Sequence, residues 1–331
     1  MSGPHLVALV PGLIGALPAL GLAQPGAGAS LPARVAALEG AVSGLQGATA
    51  SLQAEVAGVR ADLQALQAAT RGSVCTAITS LPYTISAPGK YCLKGNLHTP
   101  ITSGNAITIT ADFVVLDLNG FSITGVSSTE TSLANGVYSA NRHSVTVRNG
   151  TVSGFMRGVE VAGLDAVGAT VESMRVVGCT YEGIRVENRG AVVRGNQVVH
   201  VTGSPNATQG GNGVSVGIGV FGSGNRIVDN EVTDVIGIAS PQGGEGYGMI
   251  LNACDYCVVE GNRVANTARH EQPSYGIEGG FSTSIIVVGN RIINMNVGIT
   301  AYTATGIFYT DNVALACDVA YGSGIDGGNN R

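Results

Sequence analysis

A two-part phrase recurs from about residue 114 to the end of this chain, and it leaves little freedom in what the chain can fold into. One part reads Gly-Val/Ile-x-small-or-apolar: Gly136-Val137, Gly158-Val159-Glu160-Val161, Gly183-Ile184-Arg185-Val186, Gly213-Val214-Ser215-Val216, Gly248-Met249-Ile250-Leu251, Gly276-Ile277 and Gly298-Ile299. The other ends in Asn-x-Val/Ile, as in Asn196-Gln197-Val198, Asn230-Glu231-Val232, Asn262-Arg263-Val264 and Asn290-Arg291-Ile292, with Ala at the last place in Asn312-Val313-Ala314. The shortest steps, such as Gly276 to Gly298, are 22 residues, inside the roughly 20 to 45 of solenoid repeats. Such a period means a stack of coils, each burying its apolar side against its neighbours.

Glycine makes up about 15% of the 331 residues against a usual value of about 7%, and it lacks a Gly-X-Y period, so it marks tight turns. A net charge of -5 without a lysine-rich run gives no electrostatic footprint for nucleic acid or an anionic membrane. Residues 1–29 form a signal-like segment, apolar from Leu6 to Leu22 with cleavage expected near Ala23 or Ala29, although no Lys or Arg precedes it. Pro11 and Pro18 break it too often for a membrane span, and no later segment is long and apolar enough. The expectation is an exported chain, secreted or held at the cell surface or in the periplasm. Six cysteines allow fifteen pairings. Cys75 and Cys92 flank a short segment with Leu81-Pro82 and Pro88-Gly89 turns and are expected to bond. Cys254-x-x-Cys257 lacks the second ligand pair that zinc needs and reads as a local disulfide or as thiols in a turn; Cys179 and Cys317 read as buried apolar residues.

From Leu31 to Thr70 the positions Leu31, Val35, Leu38, Val42, Leu45, Thr49, Leu52, Val56, Val59, Leu63, Leu66 and Thr70 alternate steps of four and three, the seam of a coiled coil. With Val35 at position a, Arg34 faces Glu39 and Glu55 faces Arg60 across a parallel, in-register interface. Residues 30–71 are therefore expected to form a helical stalk that self-associates through 31–70. An amphipathic helix folded onto its own domain is the alternative. Residues 72–106 read as an N-terminal β cap and 107–331 as the stack.

Alternation within the Gly-Val/Ile phrase predicts an inner row of Val137, Val159, Ile184, Val214, Met249, Ile277 and Ile299. Tyr138, Glu160, Arg185, Ser215, Ile250, Glu278 and Thr300 then point outward, and two residues on come Ala140, Ala162, Glu187, Gly217, Asn252, Gly280 and Tyr302. Coils about 4.8 Å apart place Glu160 beside Arg185 as an exposed pair. Asn196, Asn230, Asn262, Asn290 and Asn312 are expected to form a structural ladder at a left-handed turn. Segments 199–212, 233–247 and 265–275 are long, as is 124–135, and three successive long loops make a wall beside the outward rows.

These phrases, with Val114-Val115-Leu116-Asp117-Leu118-Asn119-Gly120, Val147-Arg148-Asn149-Gly150-Thr151-Val152, Leu81-Pro82-Tyr83 and Pro88-Gly89-Lys90-Tyr91, resemble the right-handed parallel β-helix of the pectate-lyase-like superfamily over residues 75–318. The resemblance implies an all-β, single-stranded right-handed parallel β-helix, and a polysaccharide as ligand or substrate on the strand face and loops. Asn-Thr-Asp with a following Asp-Asp pair and Gly-His-Gly, found in polygalacturonases, and Asp-Pro-His, found in alginate epimerases, do not occur here.

Ionisable residues in the wall supply the candidates. Glu245, His270, Glu271 and Glu278 are the catalytic set, expected to converge within about 10 Å. His200, Asp234, Asn252, Arg269 and Tyr302 are the substrate-binding set. A hydrolase needs two carboxylates about 5.5 Å apart, or 6.5 to 9.5 Å for inversion. A lyase instead needs a base such as His270 or His200 and a cation, either Arg269 or a calcium ion held by Asp234 and Glu245. The competing expectation is a non-catalytic, oligomeric surface, adhesin or fibre protein that uses the stack as a scaffold.

Overall fold

The computed structural model describes residues 30–71, 75–126, 132–204, 213–240, 243–303 and 306–331, with 61–71 described as helix backbone only. The signal-like segment 1–29 lies outside the described residues. The chain divides into two units, Met1–Ser73 and Val74–Arg331. The first holds one helix, α1, Leu31–Arg71. Ser30 precedes it, and Pro32 sits in the first turn, where a missing N–H costs nothing. The predicted seam lies bare from Leu31 to Val59: Leu38 is 66% exposed and Leu45 53%. Thr49 donates its hydroxyl to the Leu45 carbonyl at 2.8 Å and so satisfies itself within the helix. No helix among the described residues is long and apolar enough to cross a membrane.

The second unit is a parallel β-helix. Each full coil gives one strand to a ten-stranded sheet and two to an eighteen-stranded one, the two being continuous as Thr146–Ser153 and Thr170–Cys179 in two of the coils, and neighbouring coils pair in parallel. The coil that starts with Gly246–Asn252 continues through Cys257–Glu260 and Arg263–Ala265. The first coil begins inside the 72–106 segment: Tyr83–Ile85 pairs with Ser103–Ile109 in the ten-stranded sheet, and Thr76–Ile78 pairs with Gly89–Leu93 in the other.

Three rows of aliphatic side chains fill the interior, one from each strand of the coil. The first runs Val137, Val159, Ile184, Ile218, Met249, Ile277, Ile299. A second includes Val171, Val193, Ile227, Val259 and Val287. A third includes Val176, Val198, Val232, Val264 and Ile292. All are buried, and each is worth about 1.5–3 kcal/mol relative to exposure.

The first row corrects one register. Ile184 pairs with Ile218 and Arg185 with Gly219, so Gly217-Ile218-Gly219-Val220 is the phrase of its coil, and Gly213-Val214-Ser215-Val216 is not. The outward positions there are Gly219 and Phe221 instead of Ser215 and Gly217. Space explains the glycine of the phrase. A Cβ on Gly158, Gly183, Gly217 or Gly248 would run into the valine of the third row, Val176, Val198, Val232 or Val264, and into the carbonyl of the next coil's glycine. Gly-Val/Ile and Asn-x-Val therefore recur together because they meet inside each coil.

The asparagine ladder is present and longer than expected. Asn196 Nδ2 donates to Asn230 Oδ1, Asn230 to Asn262 and Asn262 to Asn290, each at 2.9 Å, then Asn290 to Asn312 at 3.0 Å and Asn312 to Asn330 at 3.2 Å. The left-handed residue of the turn is the one before the ladder: Gly195, Asp229, Gly261, Gly289 and Asp311 have φ between 54 and 66°. The Asn is thus placed for its amide to span two coils, and its neighbour makes the turn. The expected Cys75–Cys92 link forms, and of the two readings of Cys254-x-x-Cys257 the local disulfide is the one present, while Cys179 is buried and Cys317 half-buried.

Candidate functional site on the ten-stranded face

The outward side of the ten-stranded sheet carries two charged clusters three coils apart. In the first, Glu182 is 1% exposed and lies between Arg157, which donates to its Oε2, and Arg185, whose Nη1 donates to its Oε1 at 2.8 Å. Arg185 also donates from Nε to Glu187 Oε1 at 2.9 Å and stacks 4.3 Å from the Phe221 ring centroid. Glu160 and Arg185 are register neighbours as expected, but Glu160 is buried, Arg185 half-buried, and the pair long, 3.9 Å between Arg185 Nε and Glu160 Oε1. Burial pushes the Glu160 carboxyl up, and the adjacent guanidinium groups oppose that shift. Each charge is compensated by a neighbour, so this cluster ties coils together.

The second cluster lacks that compensation. Tyr247 and Tyr275 are register neighbours whose rings stack at 5.0 Å between centroids. Tyr247 Oη donates to Glu245 Oε2 at 2.7 Å. Glu278 stands on the outward row beside Ile250 and is 8% exposed, and no hydrogen bond or ion pair to it is present among the described residues. Burial first, and the charge of Glu245 second, push its carboxyl up to about 7. Burial likewise raises the Tyr247 and Tyr275 phenols, helped by Glu245 and Glu278, so both keep their protons at neutral pH. The arrangement offers a proton donor (Glu278), a second carboxyl fixed by a phenol (Glu245) and two phenolic donors beside them.

Three loops flank this cluster. They pack backbone against backbone: Gly203 and Gly213 leave no room for a Cβ against each other or against Ile238, and Gly244 lies against Ile238 and the Gln272 side chain. Asn252 is half-buried, with its amide oxygen over Gly280, where a side chain would have to push it aside. Beyond Gly280 come Phe281, 65% exposed, and Tyr302, 59% exposed, in edge-to-face contact at 6.1 Å.

The structure thus brings Glu245 and Glu278 together and places Asn252 and Tyr302 on the same face. His270 and Glu271 lie on the adjoining loop, Glu271 exposed and His270 half-buried with its Nε2 covered and unbonded. The remaining expected binding residues lie elsewhere. His200 and Asp234 belong to strands Gln197–Thr202 and Glu231–Ile236 of the other sheet, because those strands run on into what reads as loop. There Asp234 Oδ1 accepts from Thr267 N at 2.7 Å and Thr267 Oγ1 at 2.9 Å, and its Oδ2 lies 3.7 Å from His200 Nδ1. Arg269 contacts Asp318 at 3.0 Å and the Ala316 carbonyl. No group of three or more His, Cys, Asp or Glu positioned for a metal occurs among the described residues. Tyr247, Tyr275 and Phe281 were not expected, although Tyr247-Gly248 and Tyr275-Gly276 repeat at one place in the phrase and mark a Tyr row.

A family model described as a right handed beta helix region matches residues 135–315, more than half of the chain. No curated protein sequence matches it. Among solved structures, the enzymatically active domain of tailspike protein 2 of bacteriophage CBA120 is similar at a TM-score of 0.53 and 18% identity over 79% of this chain, which spans 42% of that chain's length. DFA-IIIase from Arthrobacter chlorophenolicus A6 is similar at a TM-score of 0.49 and 11% identity, covering 74% of each chain. The periplasmic alginate epimerase AlgG is similar at 0.44 and 13%, covering 73% of this chain and 67% of that one. At these identities the likeness is one of fold. With its parallel coils, three interior rows and most of its asparagine ladder within the matched span, the chain belongs to the right-handed β-helix family.

Proposed function

We propose that this chain binds a polysaccharide along the outward face of its ten-stranded sheet and hydrolyses it with Glu278 as general acid and Glu245 as the second carboxylate. The observation that carries this reading is the Glu278 carboxyl, buried on an outward row without a protein partner and raised to about 7 beside Glu245. A structural glutamate would take a partner, as Glu182 does; a general acid must keep its proton until the leaving group takes it. Hydrolysis is favoured over elimination because Arg269, the one cation in the flanking segments, contacts Asp318, which leaves no described cation beside the two carboxyls to neutralise a uronate. The two disulfides support action outside the cytoplasm. For the helix we propose self-association through its bare seam, aided by Arg34–Glu39 and Glu55–Arg60 pairs between parallel copies.

The test is a polysaccharide screen of the purified chain, following both reducing ends and the absorbance of unsaturated uronates. The reading predicts reducing ends without unsaturated product, and loss of at least 100-fold in turnover for Glu278→Gln and for Glu245→Gln. Turnover that survives both substitutions would overturn the site.

A further inference from the structure

Resting on the reading above, we infer that the site takes an uncharged glycan, laid across Phe281 and Tyr302 and hydrogen-bonded by Asn252, and that it rejects uronates. Three observations lead there. The first is charge. The only Lys or Arg in segments 203–214, 237–245 and 266–273 is Arg269, which is bound to Asp318 and Ala316. On the sheet, Arg157 and Arg185 are occupied by Glu160, Glu182 and Glu187, three coils away. A uronate carboxylate would therefore meet the charge of Glu245 with no cation among the described residues to offset the repulsion, whereas a neutral hydroxyl-bearing ring meets acceptors and donors only.

The second observation is an unpartnered polar group. The Asn252 amide makes no hydrogen bond to any described residue, and it leans over Gly280, where the sheet has no side chain to compete with it. An amide both donates and accepts, the pairing that sugar hydroxyls require. The third is the aromatic pair. Phe281 holds a left-handed backbone, φ 51°, in the same turn where Ala253 (φ 49°) and Thr303 (φ 50°) sit on neighbouring coils. A bulky residue in that conformation is costly, and here the ring it carries is mostly exposed and braced only by Tyr302. An exposed phenylalanine beside a tyrosine offers an apolar face to the C–H side of a neutral pyranose. Its place, three residues after Glu278 on the same strand and turn, puts that ring next to the reacting one.

The experiment is a glycan array followed by calorimetry on the full chain, with soluble neutral glucans, mannans and galactans against polygalacturonate and alginate, at 20 mM and 500 mM salt. Expected are binding to a neutral glycan at least tenfold tighter than to any uronate polymer, and loss of about tenfold for Phe281→Ala or Tyr302→Ala. Any residual uronate binding should strengthen with salt and in Glu245→Gln, because both relieve repulsion. Uronate binding tighter than neutral binding, and weakened by salt, overturns the substrate class and leaves a carbohydrate site standing. Absence of binding to every glycan on the array overturns the class together with the function on which it rests.

Discussion

Replacing Asn262 by alanine removes four hydrogen bonds from the middle of the ladder. Its Oδ1 accepts from the Asn230 backbone N–H and from Asn230 Nδ2, each at 2.9 Å, and its Nδ2 donates to the Ile227 carbonyl at 2.8 Å and to Asn290 Oδ1 at 2.9 Å. Asn262 is 1% exposed, so water does not take its place. The Asn230 N–H and the Ile227 carbonyl lose these partners, at about 1–3 kcal/mol each, and the vacated volume adds to that. A loss of about 3–5 kcal/mol follows, large for a single polar residue. Asn330, at the end of the ladder, accepts twice from Asn312 and donates to the Tyr309 carbonyl and to Asp326, but it is partly exposed and water can replace these bonds, so Asn330→Ala should cost less, about 1–2 kcal/mol. Urea denaturation followed by far-ultraviolet circular dichroism compares the two, since the chain has no Trp to report by fluorescence. Equal midpoints for Asn262→Ala and Asn330→Ala would refute the ladder as a stabilising device.

Ionisation of Glu278 links stability to pH. Its folded carboxyl, at about 7, lies above the ordinary 4.5, so its contribution is fully present below about pH 4.5 and is lost as pH rises through 7. Glu278→Gln should therefore be more stable than the parent by about 3 kcal/mol at pH 8 and equal to it at pH 4, measured as urea midpoints; equal midpoints at both values would contradict the burial argument. Gly248→Ala sets a Cβ against Val264 and the Gly276 carbonyl and should cost about 2–4 kcal/mol in thermal melts, whereas Gly190→Ala, at φ 63° in open space, should cost about 1–2. Paired Leu45→Lys and Leu52→Lys substitutions should convert an oligomer to a monomer in analytical ultracentrifugation without changing the strand signal in circular dichroism. A parent chain that sediments as a monomer would end the coiled-coil proposal.

The stack was legible because its repeat is dictated by contacts inside each coil. Gly must leave room for the valine of its own coil, and Asn must reach the next one, so both recur wherever the coil does. The one slipped register, Gly213 for Gly217, arose because Gly213-Val214-Ser215-Val216 and Gly217-Ile218-Gly219-Val220 satisfy the same pattern four residues apart. Only the position of the next strand chooses between them. The site was half legible. Glu278 and Tyr302 follow from alternation along the strand, and Glu245 from its place just before the phrase. His200 and Asp234 were misplaced because strands Gln197–Thr202 and Glu231–Ile236 continue through left-handed residues that read as loop, at φ 61° and 56°. The contact of Arg269 with Asp318 was not legible because the two are 49 residues apart in sequence, and no local pattern announces such a contact.

The central claim is that Glu278 holds a proton near neutral pH beside a second carboxyl. Carbon-13 NMR of the chain labelled at glutamate side-chain carboxyls, with the Glu278 resonance assigned by its loss in Glu278→Gln, follows that proton directly. The account predicts a midpoint near 7 that falls when Glu245 is replaced by Gln but stays above 4.5, because burial is the larger cause. A Glu278 midpoint at or below 4.5 would contradict it.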